Sequence, residues 1–402
     1  MKILFVINQI AEWRGDSGLV WYSANQLKER GHEVAIVTTD GNPSKNKNED
    51  KDYLEILKKL KNSNGQRIDI KGIPVYAAHC TIEKFGMYAP NAKKIANKIA
   101  KNYDIIHIYS WYHHIGIEFF KISKKFSIPL VVSTMGTLQE GAKNFYKKQK
   151  LIVDFFYTKK MLIHANALHS VGESEKQSYL KYGVKDEKIH QIENGINLND
   201  FELNIKCDIL ERVGITKKPY ILFLSRIDKK KGLEILLHAF KMLNSVNKKI
   251  NLVVAGTGNP DYIQEIKNLV NELDIQDWLK FTGLVTHDEK ITLFKSAKLF
   301  SLTSISDIHP RAIQEALTMG VPVVISKESD YPEVEEYNAG IIVNLDSKEI
   351  CHAFEKLLKN DEILNTFSNN AKKLIKEKFL LEEQVKKFEK LYQNILLKNN
   401  QV

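Results

Sequence analysis

The chain has 402 residues, 43% hydrophobic and 27% charged, with 20 Gly and 9 Pro, a balance that excludes wholesale disorder, collagen and low-complexity character. That length predicts two or three domains. The net charge is +10, and the three cysteines, Cys80, Cys207 and Cys351, stand far apart with no CxxC spacing. A disulfide framework and a structural zinc site are therefore not expected, and a reducing compartment fits.

No run of 18 apolar residues occurs, so no transmembrane helix is expected. The apolar start, Ile3 to Ile7, is too short for a signal peptide and reads as a buried first strand. The expectation is a soluble cytoplasmic protein.

Short apolar runs recur along the chain. The first series is Ile3–Ile7, Glu33–Thr38, Pro74–Ala78, Ile105–Tyr109, Pro129–Ser133, Ala167–Val171 and Ile189–Ile192. The second is Tyr220–Leu224, Asn251–Ala255, Leu279–Thr282, Leu299–Leu302, Pro322–Ile325 and Gly340–Val343. Many are continuous rather than alternating, as in parallel strands buried on both faces. Helical patterns lie between them, such as Leu233, Leu236, Leu237, Phe240 and Leu243. Strand and helix in alternation predict an α/β fold with two doubly wound domains, joined near residues 196–215. Residues 41–66 are polar and read as a mobile excursion. The tail Ala371 to Lys398 reads as helical, capping the second domain or crossing back onto the first.

The charge is uneven. Residues 1–200 hold 30 Lys/Arg against 21 Asp/Glu, and residues 201–402 hold 29 against 28. Residues 51–150 alone hold 18 against 7. A basic half points to an anionic partner or to a lysine-rich solvated surface. No nucleic acid is expected, because the excess is mostly Lys and no DNA- or RNA-binding motif is present. An anionic membrane surface suits dispersed lysines.

In open α/β sheets, ligands bind beyond the carboxyl ends of the strands. Gly15-Asp16-Ser17-Gly18 follows the first strand, and its glycines would let backbone N–H groups approach an anion. It is not a GxGxxG fingerprint. Ser225-Arg226 closes the strand Tyr220–Leu224, and Lys231-Gly232 opens the next helix, so both cations can meet a phosphate in an inter-domain crevice. Gly256 and Gly283-Leu284 end two further strands. The densest segment runs from Thr303 to Ala316. Pro310 fits a first helical position. Asp307 then precedes the helix, as a cap or as a ligand group. The amides of Ile308 and His309 would point from its N-terminus. Glu315, about two turns inside an apolar run, would need a polar partner, which a ribose diol would supply.

At this segment the chain resembles a retaining glycosyltransferase of family 4, a group 1 glycosyltransferase with the GT-B fold, over nearly its whole length. Gly15–Gly18 and Leu27–Val34 resemble the family's opening. Tyr103–His107 resembles its DxxH strand, Pro129–Leu138 its HG loop, and Val171–Glu175 through Glu193-Asn194-Gly195 the stretch before the linker. Ser225–Gly232 resembles GRxxxxKG, and Ser304–Val323 resembles the SxxEGxPxxxxEA motif.

The resemblance implies two Rossmann-like domains facing a central cleft: residues 1–200 for the acceptor, 201–375 for the donor, and a helix 376–402. It implies a nucleotide-diphosphate sugar as co-substrate, with no cofactor and no metal. Arg226 and Lys231 would hold the diphosphate, Glu315 the ribose, and Gly283 and Leu284 the base. Asp307, Ile308 and His309 would face the sugar, with Ser225, Gly256 and Pro310 lining the donor. Gly15 would approach the phosphate. Asp16, Ser17, His107, Met135, Gly136 and Asn194 are the acceptor-side candidates. The acceptor would be a glycan or a lipid-linked sugar for cell-surface polysaccharide, at the inner face of the plasma membrane. Three positions depart from the family: Asp307 for its glutamate, Ile308 for its glycine, and Met135 for its histidine. A catalytically silent binder and a sugar-nucleotide epimerase are the competing readings.

Overall fold

A computed structural model describes residues 1–10, 15–42, 51–83, 87–139, 147–202, 207–215, 219–246 and 250–399. The chain forms two units, Met1–Gly195 with Leu381–Val402, and Ile196–Leu380. The crossings thus fall at 195/196 and 380/381, against expected boundaries at 200/201 and 375/376.

The first unit holds an eight-stranded sheet: β1 (Lys2–Val6), β2 (Glu33–Thr39), β3 (Arg67–Ile70), β4 (Ile73–Ala78), β5 (Ile105–Tyr109), β6 (Leu130–Ser133), β7 (Ala167–Ser170) and β8 (Ile189–Gln191). Its order is β3-β4-β2-β1-β5-β6-β7-β8, and β3 alone runs antiparallel to its neighbour. Strand side chains alternate between faces. Ile3 and Phe5 enter one apolar cluster, and Leu4 and Val6 enter the other. Both faces are covered, which is why the run is continuously apolar.

The second unit holds β9 (Tyr220–Leu224), β10 (Asn251–Ala255), β11 (Leu279–Gly283), β12 (Leu299–Leu302), β13 (Val323–Ser326) and β14 (Gly340–Val343). Its order is β11-β10-β9-β12-β13-β14, all parallel. The helix Leu233–Val246 buries Leu233, Leu236, Leu237, Phe240 and Leu243 against this sheet, along the stripe the sequence predicts. The expected doubly wound α/β architecture is thus present in each unit.

Three expectations are corrected. The excursion 41–66 contains a helix, Lys51–Asn62, with Tyr53, Leu57 and Leu60 buried. Spacings of four and three residues put these on one face, an amphipathic pattern hidden by the surrounding lysines. Residues 43–50 lie outside the described residues. The strand β3 begins just after that excursion and was not among the predicted strands. The tail is two helices, Asp361–Lys378 and Leu381–Asn399. Between them Phe379 is buried, and its carbonyl accepts the Ile196 N–H at 2.8 Å. The second helix belongs to the first unit, burying Leu381, Val385, Phe388, Leu391, Tyr392 and Ile395.

Candidate active site

In the second sheet the chain winds outward from β9 in both directions, so the topological switch lies between β9 and β12. The loops after these two strands are sewn together. Asp228 accepts the Lys230 N–H at 3.0 Å and opens a single helical turn, Lys229–Lys231. Gly232 ends it at φ +61°, where a Cβ would lie 2.0 Å from the Thr303 carbonyl oxygen. Only glycine fits there. Thr303 Oγ1 donates to the Gly232 carbonyl at 2.9 Å, and the Ile305 N–H donates to Lys230 at 2.7 Å.

This stitching places the predicted cations. Lys231 Nζ pairs with Asp307 Oδ2, which also accepts Ser304 Oγ at 3.1 Å. Arg226, at the end of β9, is exposed and forms no ion pair among the described residues. The sequence reading missed Lys230. Its pKa is held below the usual lysine value, first by burial and then by the like charges of Arg226 and Lys231, partly offset by Asp228 and Asp307. Three cations at one strand end carry a cost that an anion would relieve. The triple Lys229-Lys230-Lys231 was the available signal.

Toward the other edge, Gly256 has φ +130°, and a Cβ there would lie 1.9 Å from the Ser225 carbonyl oxygen. The Gly256 N–H donates to Gly283 at 2.8 Å, and Leu284 is 53% exposed. Ser225, Gly256 and Gly283 therefore follow one another across the ends of β9, β10 and β11.

Around Glu315 the expectations change. Pro310 is the N-cap and Arg311 the first residue of the helix Arg311–Thr318, so Glu315 lies little more than one turn inside. Asp307 is not the cap. Its Oδ1 accepts the Ile308 N–H at 3.3 Å, and its own N–H donates to Glu328. His309, at φ +43°, is buried with its ring 4.1 Å from that of Tyr331. Glu315 does not lack a partner: Lys290 Nζ lies 2.6 Å and Arg311 Nε 3.4 Å from its Oε1. Its other oxygen has no hydrogen-bond partner among the described residues, which leaves an acceptor for a hydroxyl.

In the first unit, Gly15 and Asp16 begin the helix Gly15–Glu29 rather than a turn before it. The preceding residues 11–14 and the Asp16 side chain lie outside the described residues. Ser17 is buried and Asn194 half-buried. Met135 and Gly136 both have left-handed backbones, φ +51° and +75°, and the Gly136 N–H donates to the buried Glu175 at 2.8 Å.

His107 is a core residue, not an acceptor-side group. It is fully buried, with Nδ1 2.7 Å from Tyr392 Oη and Nε2 2.7 Å from Ser133 Oγ. Ser133 Oγ meets His169 Nδ1 at 2.6 Å, and His169 Nε2 meets the Ile192 carbonyl at 2.7 Å. A carbonyl only accepts, so His169 Nε2 carries its proton. With both rings neutral, each other proton follows: Ser133 donates to His169, His107 to Ser133, and Tyr392 to His107. Burial pushes His169 down to about 4 and His107 well below the usual histidine value.

Two doubly wound parallel α/β units define the GT-B class of fold. Anabaena HepE, solved in complex with UDP and glucose, has it with a TM-score of 0.76 at 18% identity, over 98% of this chain and 99% of that one. The family described as "Glycosyltransferase Family 4" matches residues 17–200, and "Glycosyl transferases group 1" matches residues 208–374. Together these matches span most of the chain, which belongs to the group 1, family 4 glycosyltransferases. An uncharacterised glycosyltransferase of Methanocaldococcus jannaschii is 25% identical over 89% of this chain and 88% of that protein. The alpha-monoglucosyldiacylglycerol synthase of Streptococcus pneumoniae is 29% identical over 74% of this chain and 65% of that protein.

Proposed function

We propose that this glycosyltransferase moves a hexosyl group, with retention, from a nucleotide-diphosphate sugar to a glycan or lipid-linked acceptor at an anionic cytoplasmic membrane surface, in building cell-surface polysaccharide. The observation that carries the donor half is the cluster Arg226, Lys230, Lys231 and Asp307 at the switch between β9 and β12. HepE was solved with UDP and glucose, which supports a uridine donor. The pneumococcal relative, named for a glycolipid product, supports a lipid acceptor.

Transfer breaks the bond between C1 and the diphosphate oxygen while the acceptor oxygen bonds to C1. Negative charge builds on the leaving diphosphate, where Arg226 and Lys231 bind it more strongly than in the ground state. Asp307 and Ser304 fix Lys231 in place. The acceptor's proton goes to a departing diphosphate oxygen, so no side-chain base and no metal enter the scheme. Glu315, oriented by Lys290 and Arg311, accepts from the ribose hydroxyls. Backbone at Gly283 and Leu284 meets the base.

The test is to incubate the chain with nucleotide sugars, with and without glycolipid acceptors, and identify products by mass spectrometry. Acceptor-dependent release of nucleoside diphosphate with an α-linked product from an α-linked donor supports the reading. An altered sugar nucleotide formed without acceptor would make the chain an epimerase. Binding without turnover would make it a silent relative.

A further inference from the structure

The helical segment from Lys147 to His164 has two unlike faces. It runs as an α-helix over Lys147–Val153, widens to a π turn over Asp154–Thr158, and resumes over Lys159–His164. The inner face is pinned. Trp111 Nε1–H donates to Thr158 Oγ1 at 2.6 Å, Tyr112 Oη–H donates to Asp154 at 2.7 Å, and Met161 and Leu162 are fully buried.

The outer face is apolar and bare. Leu151, Ile152, Phe155, Phe156 and Ile163 are 58%, 61%, 80%, 51% and 47% exposed. They are five of the twelve exposed large hydrophobics among the described residues. Leu151, Ile152, Phe155 and Phe156 follow the i, i+1, i+4, i+5 spacing of one helix face. A contiguous patch of this kind marks an interaction surface.

Charge identifies the partner. Lys159 and Lys160 are exposed just beyond the π turn, whereas the half-buried Lys150 before it turns inward, its Nζ 5.1 Å over the Tyr112 ring. On the neighbouring helix His114–Phe126, Lys121 Nζ sits 5.2 Å over the Tyr157 ring, and the charge of Lys124 acts on His164. The nearby acids are occupied: Asp154 by the Tyr112 hydroxyl, Glu118 by Lys121 at 2.7 Å. A second copy docked face to face would set lysine rim against lysine rim. A negatively charged sheet of headgroups over hydrocarbon complements both parts of the surface.

We infer that this face is a membrane wedge: Leu151, Ile152, Phe155 and Phe156 enter the headgroup–acyl boundary of an anionic bilayer, and Lys159 and Lys160 hold the headgroups. The inference deepens the proposed membrane acceptor and rests on that reading. Pinning by Trp111 and Tyr112 presents the wedge ready-formed, so little ordering entropy opposes insertion.

The experiment uses the full chain with vesicles of phosphatidylcholine alone or mixed with phosphatidylglycerol. Wild type should co-sediment with the mixed vesicles and not with the neutral ones. A Phe155→Asp/Phe156→Asp variant should partition about tenfold or more weakly, because two ring burials are lost. A Phe155→Trp variant should be quenched by lipids brominated in the upper acyl chain. Donor hydrolysis should be unchanged in both variants, so failure of the wedge is distinguishable from failure of the donor site. Equal binding by the aspartate variant, or an unquenched Trp, would overturn the wedge. So would self-association of wild type in sedimentation velocity that the aspartate variant abolishes, with no vesicle binding.

Discussion

At the residue scale, the cations at one strand end decide donor binding. Arg226→Ala and Lys231→Ala should each lower kcat/KM about 10- to 100-fold, the loss of one charge-assisted bond in the transition state. The folds should survive, as both groups stand at loop ends rather than in the core. Steady-state kinetics beside melting curves check this, and near-normal rates in both variants would count against the assignment. Glu315 differs, because it is buried between Lys290 and Arg311. Glu315→Ala strands two cations and should cost stability, on the order of 3 kcal/mol for a broken buried pair. Lys290→Met leaves Glu315 held by Arg311 and should raise the donor KM more than it lowers kcat. Equal loss of kcat and kcat/KM in that variant would place Lys290 in the chemical step instead. Arg226 and Lys231 were legible because one short strand–turn–helix carries both. The partner of Glu315 was not, since Lys290 arrives from 25 residues upstream, on the helix after another strand.

At the element scale, pairing partners far apart in sequence decide what could be read. The strands showed as apolar runs because both sheet faces are buried. The break between the two C-terminal helices left no mark, with neither Gly nor Pro near Phe379. It exists because Phe379 and Leu380 pair with Ile196. His107 sits in a DxxH strand, which invites a functional reading. Only the return of Tyr392 on the last helix shows that its ring is a core hydrogen-bonding group. That chain of hydrogen bonds predicts a pH dependence. His107 and His169 are buried neutral, with His107 well below and His169 at about 4, against about 6.5 in the unfolded chain. Between those values the unfolded state binds more protons, so stability is full above about 6.5 and falls as pH drops toward 4. The melting temperature should therefore fall steadily from pH 7 to pH 5. A flat or rising profile would show that these rings are solvated in the folded state.

At the scale of the whole molecule, the fold class followed from alternation of buried strand and amphipathic helix, and the family matches agree with it. The crossing of the last helix back to the first unit needed tertiary structure to resolve. The uneven charge acquires a location, since the lysines of the first unit include those around the apolar face of Leu151 to Phe156. A ligand that binds only the folded state raises its melting temperature by mass action. Nucleoside diphosphates should do so here, and nucleoside monophosphates should do so less, because they offer the cation cluster one phosphate fewer. Donor binding by the cation cluster is tested by calorimetric titration of UDP, GDP and ADP into wild type and into the Arg226→Ala/Lys231→Ala double variant. At least one of them should bind wild type saturably, and the variant about 100-fold or more weakly. No binding to wild type, or equal binding to both proteins, would contradict donor binding by this cluster.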